Sequence, residues 1–100
     1  MEKEYNYNGQ RIFVLSSDGD DYDGYARALE VIEKVIRPER IHKTESFFDG
    51  AKCSFVKSGL EVEMEYTNWW GVEIKIDERT NEQGVQKVKD WIRIIEKGSV

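Results

Sequence analysis

Leu60-Glu61-Val62-Glu63-Met64-Glu65-Tyr66 and Val72-Glu73-Ile74-Lys75-Ile76-Asp77 are the two runs whose reading decides the fold. Apolar and charged residues alternate through both with period 2, and successive side chains of a strand point to opposite faces. Each run is therefore a strand with one face against a core and the other against water. Just upstream, a strand over residues 51–56 reaches Leu60 through Ser58-Gly59. A two-residue loop there sets Lys57 opposite Leu60, Cys53 opposite Met64 and Phe55 opposite Val62. The same register sets Lys52 opposite Glu65 and Ser54 opposite Glu63, so both faces are consistent. Residues 52–77 thus spell a three-stranded antiparallel meander, apolar on one side and acidic on the other.

Working outward, Asn8-Gly9 lies between Tyr5 and Tyr7 on one side and Ile12-Phe13-Val14-Leu15 on the other. Asn-Gly in that setting is a hairpin signal, because both turn positions need positive φ. The run from Ile12 to Leu15 is apolar without alternation, which predicts a strand covered on both faces. From Tyr25 the spacing becomes helical, with Tyr25, Leu29, Ile32 and Ile36 on one stripe and Ala28 and Val35 beside it, until Pro38 ends the helix. Residues 40–48 read as an edge strand, followed by the turn Asp49-Gly50. A last helix carries Val85, Val88, Ile92 and Ile95 on one stripe, with Trp91 on its flank and Ile94 further round. Thr80 and Gln83 have capping-box spacing, and Gly98 suits the residue after the helix. The expectation is one α+β domain over residues 1–100: a two-layer sandwich, with a mainly antiparallel sheet of four to six strands and two helices on one face.

Composition narrows the function classes. The chain has 100 residues, twelve of them aromatic, which fits one folded domain and argues against disorder. A net charge of −5 disfavours nucleic acid and anionic lipid, and points to a basic partner. One cysteine excludes an internal disulfide framework and suits a reducing compartment. With no apolar run of spanning length, a cytoplasmic location without membrane contact is expected. No metal or other cofactor is expected: His42 has no second histidine at ligand spacing, and Cys53 has no cysteine partner.

Candidate site residues follow from the acidic face. Two registers of the strand pair keep the apolar residues together. One sets Glu65 opposite Glu73 and Glu61 opposite Asp77, with Glu63 facing Lys75. The other sets Glu63 opposite Glu73 and Glu61 opposite Lys75. Either way like charges face each other, at a cost of roughly a few tenths to 1 kcal/mol. Repulsion of that kind fits a surface that meets lysines and arginines of a partner, and it also fits a solvated face that resists aggregation. Glu61, Glu63, Glu65, Glu73 and Asp77 are the candidate charges. Counting back from Val72 turns Trp70 to the core and Trp69 outward, where Trp69 would serve as an interface anchor or lie over the sheet edge. Asp20, Asp21 and Asp23 would sit at the first turn of the helix, where carboxylates stabilise, and would extend the acidic patch. The run from Asp18 fails the calcium-loop pattern at its fifth, sixth and twelfth positions, Tyr22, Asp23 and Leu29. A His42–Cys53 nucleophile pair is not expected, because Cys53 falls on the apolar face. No catalytic residue is assigned.

Glu65-Tyr66-Thr67-Asn68-Trp69-Trp70-Gly71-Val72-Glu73-Ile74-Lys75-Ile76-Asp77 resembles a motif style of small bacterial immunity proteins from polymorphic-toxin and contact-dependent growth inhibition systems. The resemblance covers residues 65–77. It implies an acidic α+β protein without catalytic residues that binds and blocks a basic nuclease-like toxin domain. The alternatives are a structural or homo-oligomerisation domain, pairing through the C-terminal helix at Trp91 and Ile94, and a small ligand-binding domain.

Overall fold

A computed structural model describes residues 3–15, 22–43, 50–67 and 71–97, without the side chains of residues 22 and 23. Six strands form one antiparallel sheet: β1 (Lys3–Tyr7), β2 (Gln10–Val14), β3 (Arg40–Lys43), β4 (Gly50–Lys57), β5 (Leu60–Thr67) and β6 (Gly71–Asp77). Their spatial order is β1-β2-β6-β5-β4-β3. The β1–β2 hairpin therefore docks against β6, the last strand of the β3–β6 meander, with Phe13 opposite Ile74. Both hairpin loops are of type I′: Asn8 and Gly9 have φ of 55° and 77°, and Ser58 and Gly59 have 53° and 76°. The β4–β5 register is the expected one at every position from Lys57 opposite Leu60 to Lys52 opposite Glu65.

Helix α1 (Tyr22–Val31) and helix α2 (Glu82–Lys97) cover one face of the sheet. Between the layers lies a single core that includes Phe13, Tyr25, Ile32, Phe55, Met64, Ile74, Val88 and Ile92. The sandwich expectation is realised, with six strands and both helices on the same side.

Two helix ends differ from expectation. Residues 32–36 continue α1 as a π turn, in which the Arg37 N–H donates to the Ile32 carbonyl at 2.9 Å. In an α-helix Val35 would stand about 60° from Ile32. The wider turn rotates less per residue, so Ile36 stays buried while Val35 swings out to 42% exposure. Arg37 then takes the left-handed conformation ahead of Pro38 and ends the helix. At α2 the cap is Asn81, whose Oδ1 accepts from the Gly84 N–H at 2.8 Å. Thr80 instead donates its hydroxyl to the Asp77 carbonyl at 2.6 Å, closing the turn out of β6.

Candidate functional site on the outer face of the sheet

Alternation along each strand sends a second set of side chains away from the helices. The β5–β6 pair takes the first of the two expected registers, with Glu63 opposite Lys75 and Glu65 opposite Glu73. Adding the other ladders gives three rows across the outer face. One runs Lys52, Glu65, Glu73, Val14, Lys3; the second runs His42, Ser54, Glu63, Lys75, Ile12, Tyr5; the third holds Arg40, Val56 and Glu61 on β3, β4 and β5, and Asp77, Gln10 and Tyr7 on β6, β2 and β1.

Most of the expected charges are held by the chain itself. The Lys75 ammonium donates to Glu65 and lies 4.0 Å from Glu63, which Lys52 also approaches to 3.3 Å. Burial pulls the Lys75 ammonium down, but its hydrogen bond to Glu65 and the charges of Glu65, Glu73 and Glu63 outweigh that and leave its pKa raised. Glu73 is 7% exposed and accepts the Tyr5 phenol at 2.9 Å. Burial first, then that carboxylate, raises the Tyr5 pKa. To reach β6 the Tyr5 ring crosses β2 over Ile12, which is 3% exposed although it lies on the face away from the helices. Asp77 binds Arg79 through both carboxylate oxygens, and these bonds lower its pKa to about 2. The like-charge pair Glu65–Glu73 is therefore present but bridged by a cation on one side and a phenol on the other. Glu61 is the expected site residue with no hydrogen bond or ion pair among the described residues.

Around Glu61 the face is concave. A trough of about 740 Å³ runs from β3 across to Gly9 and Gln10, with Arg40, His42, Ser54, Glu61, Glu63 and Lys75 among its lining. Neither Arg40 nor His42 has an ion pair among the described residues, and both stand exposed on the edge strand. Arg-Ile-His-Lys shows little alternation in the sequence, and it is the pairing of β3 with β4 that brings Arg40 and His42 beside Ser54 and the β5 glutamates.

Neither a family model, nor a curated protein, nor a solved structure matches this chain. Its own geometry is the ground for a functional reading.

Asp20, Asp21, Trp69 and the side chain of Asp23 lie outside the described residues, as do Trp70 and Gly98. Cys53 is fully buried on the helix side, and burial raises its thiol pKa. His42 is paired with Ser54, the residue after Cys53, so its ring is on the opposite face of the sheet from the thiol. Among the described residues no three His, Cys, Asp or Glu side chains gather to hold a metal ion, and no helix is long and apolar enough to cross a membrane. Trp91 and Ile94, the residues expected to make contact if the chain paired through α2, pack against the core, with the Trp91 ring 6.1 Å from that of Phe55.

Proposed function

We infer that this chain is a non-enzymatic binding protein of the immunity or inhibitor type, which takes a basic protein partner on the outer face of its sheet. The observation that carries this reading is the trough itself. It is a concave sheet surface left open by both helices, and its lining includes Glu61, whose carboxylate has no partner among the described residues. Its volume is that of a ligand cleft, and its openness suits a protein segment. A partner lysine or arginine at Glu61 would meet a carboxylate with no bond to the described residues to give up.

The net charge of −5 supports a basic partner, because it would steer a cationic surface toward this chain. In this reading Glu61 makes the contact, with Asp20, Asp21, Asp23 and Trp69 as further contact residues. Glu63, Glu65, Glu73 and Asp77 act mainly by holding the surface in place.

The test is genetic. The protein encoded beside this one is expected to arrest growth when expressed alone and to be tolerated when the two are expressed together. A neighbour that is harmless alone, or equally toxic in both settings, would refute the inhibitor reading.

A further inference from the structure

We propose that the outer edge of β1, unpaired among the described residues, pairs with β1 of a second copy, joining two sheets into one of twelve strands. The β1–β2 turn fixes which backbone groups are available. In a two-residue I′ hairpin the residues flanking the turn, Tyr7 and Gln10, form a hydrogen-bonded pair, and bonded pairs recur at every second residue. Lys3, Tyr5 and Tyr7 therefore bond to β2, and the N–H and C=O groups of Glu4 and Asn6 point to the open side. A two-fold antiparallel partner must pair these outward residues with each other. Centring on Glu4 sets two carboxylates face to face, and centring on Asn6 leaves Glu4 against the turn. Centring on Tyr5 pairs Glu4 with Asn6 of the second copy, twice, and satisfies all four outward residues without opposing like charges.

Side chains agree with that register. On the outer face Lys3 would lie opposite Tyr7 of the other copy, on each side of a central Tyr5 pair. Tyr7 is 64% exposed in the isolated chain, and Lys3 already sits over an aromatic ring, 5.3 Å from the centroid of Tyr5. The opposite edge of the sheet is guarded. Three of the four β3 residues are Arg40, His42 and Lys43, and self-pairing about Ile41 would oppose Arg40 and His42. β1 has uncharged residues from Tyr5 to Tyr7, with no proline and no bulge.

One five-residue strand pair is smaller than the roughly 1,200 Å² of a stable interface, so the association is expected to be weak, with a dissociation constant of about 10 μM or above. Sedimentation equilibrium from about 10 μM to about 1 mM should show a monomer–dimer equilibrium. Asn6→Pro removes an outward N–H without touching the β1–β2 ladder, and should leave a monomer. Asn6→Lys, facing Glu4 of the other copy, should tighten the dimer several-fold, and Asn6→Glu should weaken it by a similar factor. Within one chain Asn6 faces Arg11, so these two changes should shift the melting temperature in the opposite order. A monomer throughout the range, a dimer indifferent to all three substitutions, or an open-ended polymer of β1 on β3 would each overturn the proposal.

Discussion

Replacing Lys75 with methionine tests how the outer face tolerates its carboxylates. The Lys75 side chain is 16% exposed, and its partners Glu65 and Glu63 are 21% and 25% exposed, so the cluster lies between surface and interior. Its hydrogen bond to a carboxylate is worth roughly 1.5–3 kcal/mol at such a site. Removing the cation also releases the Glu65–Glu73 repulsion, adding roughly 0.2–1 kcal/mol. Methionine keeps most of the side-chain volume, so the cavity contribution is small. The expected loss at neutral pH is about 2–4 kcal/mol, measured by urea unfolding, or about 8–30 °C in melting temperature. The pH dependence has a definite sign. The Lys75 pKa is raised above 10.5, so its stabilisation is fully present below that value and fades as pH rises through the folded pKa. The gap between wild type and Lys75→Met should therefore narrow from pH 7 to pH 11. A loss below about 0.5 kcal/mol, the size expected of an ordinary surface change, or a gap independent of pH would refute this account.

Tyr5→Phe should cost about 1–2 kcal/mol in the same assay, because it leaves the buried Glu73 carboxylate without its donor. Cys53 should resist thiol reagents at pH 8 until the chain unfolds, since its thiol is buried and its pKa is raised; rapid labelling of the native protein would contradict its placement. Asp77 should titrate near 2 by NMR, and in Arg79→Ala should return toward 3.8. Because its folded pKa is lowered, any stability it contributes is present above 3.8 and is lost as pH falls toward 2.

The meander was legible in the sequence because two kinds of signal coincide there. Ser58-Gly59 and Asn8-Gly9 pin the hairpins by their need for positive φ, and period-2 alternation assigns every residue between them to a face. The end of α1 was not legible, since a π turn leaves no mark in the apolar spacing until Val35 is found outside. The site was half legible. Alternation placed Glu61, Glu63, Glu65, Glu73 and Asp77 on the outer face, but could not choose between registers, and the choice decides what Lys75 neutralises. Tyr5 bonds Glu73 across 68 positions of sequence, a pairing that depends on β2 docking beside β6. Arg40 and His42 were assigned to an edge strand, but their place on the trough required the order of all the strands. The expectation of a surface crowded with mutually repelling carboxylates gives way to a balanced network, with Glu61 left over. It follows that charge reversal at Glu73 would disturb folding, whereas Glu61 offers a clean test of binding.

Calorimetric titration of the neighbouring gene's product with wild-type protein and with Glu61→Arg, at low and at high salt, tests the central claim most directly. Wild-type binding should weaken as salt rises, and Glu61→Arg should bind at least about tenfold more weakly while its melting temperature is unchanged. Equal affinity for both proteins, or no complex with either, would show that the trough is not where this chain meets its partner.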